Sequence, residues 1–405
     1  MGSSRVTPAS VGASDVRVAL LDLKASTQDV LAAVPGLTGF RPVDIEGALG
    51  IDLKLAWKLS HLAHAGDPFD AVRHLPGELA AKIAAQAAAK KGVPAAKTEA
   101  MMAALFRVQS LGIAWSGGKR AFGLLSANMA INADGRFAVD RRKELFSGGM
   151  HIWGMRAANA FRVDVLHPAA RGKMIDCLTL RGFADLERLR FDAAWRFDAP
   201  AVVDDRGRAS RRARLERPAG TASSSAPFII DELCSGASKT LKRMAEDGCL
   251  HLMPGEVGRA SAGTLVQGAV MRHVQPQGFS RDHSGLFQVF RARTPCVMQE
   301  FVVGVHRSLV PEGVQPDAVV YGDLYGAPER RMPYHLGDRL HCGATVQALA
   351  GRSRWRIEGV VGVEGWIDRQ LDALGWDRDD MLWFRAAVAY PPIPSTLVVQ
   401  LPQAD

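Results

Sequence analysis

Four side chains in one short stretch could do chemistry together: Lys54, Trp57, Lys58 and His61, within DIEGALGIDLKLAWKLSHLAH at positions 44–64. Their spacing of three and four residues puts them on one face of a helix. Two ammonium groups, an indole and an imidazole make a basic, aromatic face suited to an acidic partner rather than to bond-making. The opposite side of the same helix is apolar, because Leu55, Leu59 and Leu62, with Ala56 and Ala63, repeat at helical spacing. Asp52 stands where an N-cap is needed to accept the free amides of a helix starting near Leu53, and Gly50 stands where a tight turn would precede it.

A face of this kind needs elements behind it. After a flexible arm over 1–14, Ser14 or Asp15 is placed to cap a helix whose Val16, Leu20, Leu23, Val30 and Val34 share one side, and Pro35-Gly36 ends it. A second helix begins after Pro42, and the Gly50 turn leads into the third. Three helices in this order are what a trihelical DNA-binding core requires, since the first must cover the apolar backs of the other two. Ala48-Leu49-Gly50-Ile51-Asp52 resembles the phrase that joins the two helices of the helix-turn-helix in bacterial transcription regulators. The position four before the turn glycine, usually small in that family, is Glu46 here. The resemblance covers roughly 50 residues, at 42–64 and the helix before them. It implies that the second helix enters the major groove of DNA, with Lys54, Trp57, Lys58 and His61 outward and Gly50 and Asp52 as turn and cap. It also implies a homodimer, because two half-sites supply the specificity that one short helix lacks.

Beyond the turn, Gly66-Asp67-Pro68 interrupts the pattern, and Ala-rich helices are expected at about 77–91 and 95–111, the first rich enough in alanine to pack closely on another helix or form a dimer layer. No β-hairpin wing is visible after His64. A turn is expected at 132–136 and a further helix over 140–146. From about Phe161 the period shifts to strands, and the last section is the most strand-like: LFQVFRA, CVMQEFVVGVH, AVVYGDL, LHCGATVQAL, WRIEGVVGV, FRAAVAY and TLVVQL, with one helix near 365–374. A strand at 227–233 and a helix at 237–246 complete the expectation. The chain therefore reads as α+β: a helical domain at 15–150, an α+β subdomain at 151–280 with an exposed basic loop at 204–225, and a β-rich subdomain at 281–405, dominated by antiparallel sheet.

The remaining constellations are weaker. Arg206, Arg208, Arg211, Arg212, Arg214 and Arg217 crowd one loop, partly balanced by Asp204, Asp205 and Glu216, and read first as a solvated loop. GIAWSGGKR at 112–120 fails as a phosphate loop, having Ile113 where a glycine is needed and Arg120 after Lys119. Cys234 in DELCSG has a nucleophile's neighbours but no base assigned by spacing. His335 and His341 with Cys342, or His306 with Glu300, match no established metal-ligand spacing. No catalytic residue, metal ligand or cofactor is assigned.

Composition agrees with this reading. At 405 residues the chain is too long for a single ordinary core, and 47% hydrophobic with 23% charged residues is a folded, not a disordered, balance. A net charge of +8 favours acidic partners. Five cysteines, widely spaced and never C-x-x-C, read as reduced thiols of a cytoplasmic protein. No run is long and apolar enough for a membrane span, the start lacks an apolar signal region, and Val6 stands where a myristoylation signal needs Ser or Thr. The expectation is a dimeric DNA-binding regulator whose C-terminal region senses a small-molecule effector or completes the assembly. An enzyme active in that region, around Cys234 or His335 and His341, is the alternative, and an interaction protein using the arginine loop is a third.

Overall fold

The computed structural model describes residues 11–130, 136–170, 174–193, 195–197, 214–222, 228–236, 241–243, 250–274, 285–322, 339–349 and 355–402. The fold is α+β, with a helical region preceding a strand-rich one, and the chain forms two compact units, Met1–Phe137 and Ala138–Asp405.

In the first unit, α1 (Ala13–Ala32), α2 (Pro42–Leu49) and α3 (Leu53–His64) are followed by a 3-10 turn (Pro68–His74), α4 (Glu78–Lys90), α5 (Ala95–Ser116) and α6 (Lys119–Met129). The stripes legible in the sequence are the core: Val16, Leu20, Leu23, Val30 and Val34 of the α1 region meet Leu55, Leu59 and Leu62 of α3, and Met101, Leu105 and Val108 of α5 close the same cluster. Alanines at helical spacing let α4 lie close to its neighbours, burying Ala81, Ala84 and Ala88. Three local expectations shift. The N-cap of α1 is Gly12 rather than Ser14 or Asp15, because the Asp15 carboxylate reaches back from inside the first turn to accept the Gly12 amide at 2.8 Å. Helix α5 runs on to Ser116, past Leu111, and ends at a left-handed Gly117. Helix α6 follows where the sequence showed only mixed character, since Ser116-Gly117-Gly118 and Gly123 mask its period.

Helix α7 (Arg136–Trp153) leads into the second unit, absorbs the helix expected at 140–146 and moves the boundary from 150 to Phe137. Strands β1 (Met155–Pro168), β2 (Ile175–Arg188), β3 (Arg196–Phe197), β4 (Arg214–Glu216), β5 (Phe228–Ile229), β6 (Leu241–Arg243), β7 (Leu250–Leu252), β8 (Gly263–Val274), β9 (Gly285–Ala292), β10 (Cys296–His306), β11 (Asp317–Gly322), β12 (Arg339–Leu340) and β13 (Thr345–Leu349) follow. Helix α8 (Val363–Leu374), β14 (Met381–Ala389) and β15 (Ser395–Pro402) complete it. The large sheet runs β13-β14-β10-β1-β2-β8-β4, with β5 also on β8; a second sheet runs β12-β11-β15-β9, and a small one β3-β7-β6. Among the described residues every pairing is antiparallel except β1 with β10, which run parallel from Ala157 opposite Cys296 to Leu166 opposite Val305. That pair joins segments on both sides of the expected boundary at 280, so residues 151–280 and 281–405 share one sheet instead of making two subdomains.

One face of the large sheet, with Phe161, Val163, Val302 and Trp383, packs on Val363, Trp366, Ile367 and Leu371 of α8. The other, with Phe301, Val303, Phe384 and Val388, packs on Leu286, Phe290, Leu397 and Val399 of the second sheet. Covered on both sides, the central strand β10 is buried without a break from Gln299 to Val305 and carries the apolar run Phe301 to Val305 rather than an alternation. Two expectations fail here. Part of the 237–246 helix is strand β6, paired with β7. WRIEGVVGV is no strand: Ile357 and Val360 form one isolated bridge around left-handed Gly359, where a Cβ would stand 2.8 Å from the Ala184 methyl, and left-handed Gly362 then caps α8.

Candidate nucleic-acid interface

The candidate face is set by how α3 is held at both ends. Gly50 closes α2 in the left-handed conformation at φ 66° and ψ 36°, donating its amide to the Glu46 carbonyl at 2.7 Å. Two residues later the Asp52 carboxylate accepts the Leu55 amide at 3.0 Å and starts α3. The far end is held from α1: Lys24 Nζ donates to the Ala65 carbonyl and Gln28 Nε2 to the Ala63 carbonyl, each at 2.7 Å. Placing the Lys24 ammonium there also complements the negative end of the α3 dipole. Nothing in the α3 sequence announces these two anchors; they come from a neighbouring helix.

Between these anchors, Leu55, Ala56, Leu59, Leu62 and Ala63 are buried, and Lys54, Trp57 and His64 are exposed, with Lys58 and His61 half-buried. Glu46, on α2, is also half-buried. Lys54 and Lys58 make no ion pair among the described residues. The structure brings Trp57 and His61 together and adds a third ring that sequence spacing did not indicate, His74 at the end of the 3-10 turn. The Trp57 and His61 centroids lie 3.8 Å apart, Trp57 and His74 4.8 Å, and His61 and His74 4.7 Å. His61 Nδ1 donates to the Trp57 carbonyl at 2.9 Å, which fixes the ring across the helix turn. Arg73 Nε donates to His74 Nε2 at 3.0 Å, while Arg73 Nη2 donates to Asp70 at 2.9 Å. Trp57 is thus clamped on one edge and 43% exposed on the other. Pro68 and Asp67, which accepts the Phe69 amide, were the sequence signals for the turn that delivers His74, but nothing in its spacing linked it to Trp57.

Burial, reinforced by the nearby His61, Arg73 and Lys58, lowers the His74 imidazole pKa from 6.5 to about 4. An unfolded chain takes up this proton near pH 6.5 and the folded one only near pH 4, so the stability is fully present above 6.5 and is lost as pH falls towards 4. The ceiling is about 3 kcal/mol. His74→Gln keeps an acceptor for Arg73 and removes the titration, so urea unfolding of the helical unit should lose less stability between pH 6.5 and 4.5 than in the parent. Equal acid sensitivity in both would show that the folded imidazole is not held neutral.

The other candidate residues lie elsewhere. Ser116, Gly117 and Gly118 form the α5–α6 turn, Ser116 Oγ donating to the Gly112 carbonyl at 2.7 Å, so GIAWSGGKR is a helix connection. Arg206, Arg208, Arg211 and Arg212 lie outside the described residues, as do His335 and all of the turn expected at 132–136 except Arg136, which begins α7, while Arg214 lies on β4. The Cys234 thiol is pushed up to about 11 by burial and donates to the Val266 carbonyl, the opposite of an activated nucleophile. His306 and Glu300 are six residues apart on β10, about 20 Å along an extended strand, and share no site. Ser308 and Asp380 flank His306, but the His306 Nδ1 that meets Ser308 Oγ at 2.8 Å also accepts the Ser308 amide at 3.2 Å, which makes the group a turn cap. No group of three or more possible metal ligands occurs, and no helix is long and apolar enough to cross a membrane, among the described residues.

No protein-family model matches the chain, and no curated protein matches it. Among solved structures, a chain from Parabacteroides distasonis ATCC 8503 described as a "putative protease" aligns at a TM-score of 0.24 and 8% identity, over 61% of this chain and 40% of that one. The aligned part spans less than half of that chain, and an overlap this loose bears on neither fold nor activity.

Proposed function

We propose that this chain is a sequence-specific DNA-binding transcription regulator that uses the α2–Gly50–α3 element as a helix-turn-helix. The observation that carries the reading is a short helix anchored at both ends, apolar on its inner side, with Lys54, Trp57, Lys58 and His61 turned outward and neither lysine held in an ion pair among the described residues. Free ammonium groups on a rigid helix gain most from phosphates or from guanine acceptors in the major groove. Dimerisation follows from the small footprint of one helix, and the Ala-rich layer expected to serve it takes a different part. The alanines of α4 are used inside their own unit, which leaves Leu79, 74% exposed, and Ile83, 46% exposed, as the edge offered to a second copy. The strand-rich unit then has the role of effector sensing or assembly.

The test is binding of the full chain to mixed genomic fragments at two salt concentrations, with the recovered fragments sequenced. Selective, salt-sensitive enrichment of a few palindromic sites is the expected result. Lys54→Ala with Lys58→Ala should weaken binding about tenfold or more and reduce the slope of log affinity against log salt by about 1 to 2, one phosphate contact contributing about 0.9. Unchanged affinity and slope would sink the assignment.

A further inference from the structure

Helix α3 presents two parallel ridges rather than one basic patch. Lys54 and Lys58, four residues apart, form the cationic ridge; Leu53 and Trp57, also four apart, form an apolar ridge beside it. The fold leaves the outer side of the apolar ridge uncovered. Leu53 opens the helix with 49% of its surface in solvent, and Trp57 keeps 43% exposed even though His61 and His74 hold its other edge. A large aromatic side chain clamped in a half-exposed position has already lost its rotamer freedom, so contact with a ligand costs it little further ordering.

The chemistry of the groove narrows what such a ridge can meet. Phosphates and guanine O6 and N7 are acceptors that lose solvation against leucine or the carbon face of the indole with nothing in return; the single indole Nε1–H can serve one such acceptor, and the rest of the ridge none. The only apolar group that the major groove offers is the C5-methyl of thymine, and the minor groove offers none. From this we propose that Leu53 and Trp57 read thymine methyl groups, while Lys54 and Lys58 bind the acceptors and phosphates alongside. This rests on the DNA-binding reading above and specifies its target: a half-site with two thymines on the path of α3. Four residues of helix rise about 6 Å, against 3.4 Å per base pair, so the two thymines lie about one or two base steps apart.

The test changes the DNA before the protein. The best site recovered from the fragment selection is resynthesised with each thymine in turn replaced by deoxyuridine, which removes one methyl and leaves every hydrogen-bonding group in place. Affinities for the full chain are then measured by fluorescence anisotropy at fixed salt. At two neighbouring positions the replacement should weaken binding about threefold to fivefold, the loss expected for one buried methyl. Leu53→Ala, an exposed and structurally tolerant substitution, should bind more weakly and lose its sensitivity to uracil at one of the two positions, leaving the other intact. Selective binding in which uracil is neutral everywhere would overturn methyl readout and leave the DNA-binding reading standing. So would Leu53→Ala retaining full uracil sensitivity at both positions. Absence of any selective binding would overturn both.

Discussion

Arg385→Leu should destabilise the strand-rich unit by about 3 kcal/mol, because it strands a carboxylate in the middle of a sheet. Glu300 lies on β10 with none of its side chain exposed, and Arg385 on β14 brings Nε to 2.8 Å from Oε1 as a close ion pair. Asn159 Nδ2 on β1 donates to the other oxygen at 3.0 Å, and the Glu358 backbone supports it as well. Burial still raises the Glu300 pKa above its ordinary value, with the Arg385 charge and these hydrogen bonds opposing that rise. Removing the guanidinium leaves burial unopposed by any charge. The estimate stands at the low end of the range for broken buried pairs because Arg385 is itself 36% exposed. The pH dependence identifies the cause. With its partner gone, Glu300 has a still higher folded pKa, so the folded state holds the proton to higher pH than the unfolded state does. The variant's deficit should therefore shrink as pH falls from 7 towards 5. Arg385→Leu with Glu300→Gln should recover much of the loss. A deficit constant with pH, measured by urea unfolding, would point to lost packing instead.

Gly182→Ala should be as severe, at about 3 kcal/mol or more, for a steric reason. Gly182 sits on β2 between β1 and β8, opposite Phe161 and Val266. A Cβ there would stand 2.2 Å from the Leu265 carbonyl oxygen and 2.9 Å from the Phe161 ring. The first of these is backbone in the neighbouring strand, so relief requires moving a strand rather than a side chain. Gly365→Ala makes the same chemical change in α8, where the nearest atom is the end of the Arg369 side chain at 3.9 Å, and should be neutral or stabilising by up to about 1 kcal/mol. Thermal unfolding of the two variants beside the parent decides the matter; similar shifts for both would remove the steric account of Gly182.

Much of the helical unit was legible because its determinants are local. The apolar stripes of α1 and α3, Gly50 in a left-handed cap and Asp52 accepting the Leu55 amide depend on residues a few positions apart, and helical period and capping chemistry act at that range. The expected start of α1 was off by two residues for the same kind of reason, since an acid inside the first turn can cap from behind. The candidate site was half legible. Spacing placed Lys54, Trp57, Lys58 and His61 on one face, but the ring that clamps Trp57 comes from His74, seventeen residues further on and beyond a turn.

The strand-rich unit shows the other limit. Apolar runs identified most of its strands, yet the parallel pairing of β1 with β10 and the burial of Glu300 between Asn159 and Arg385 join residues 85 or more positions apart. Sequence alone determined the helices and strands whose period is unbroken, and which of their faces are apolar, because period and turn chemistry are properties of neighbouring residues; α6, β6 and the stretch before α8 escaped it. Tertiary structure decided which strands pair, which charges are buried together and which outward side chain is locked in place. Those outcomes depend on close packing between segments that the chain brings together only when it folds.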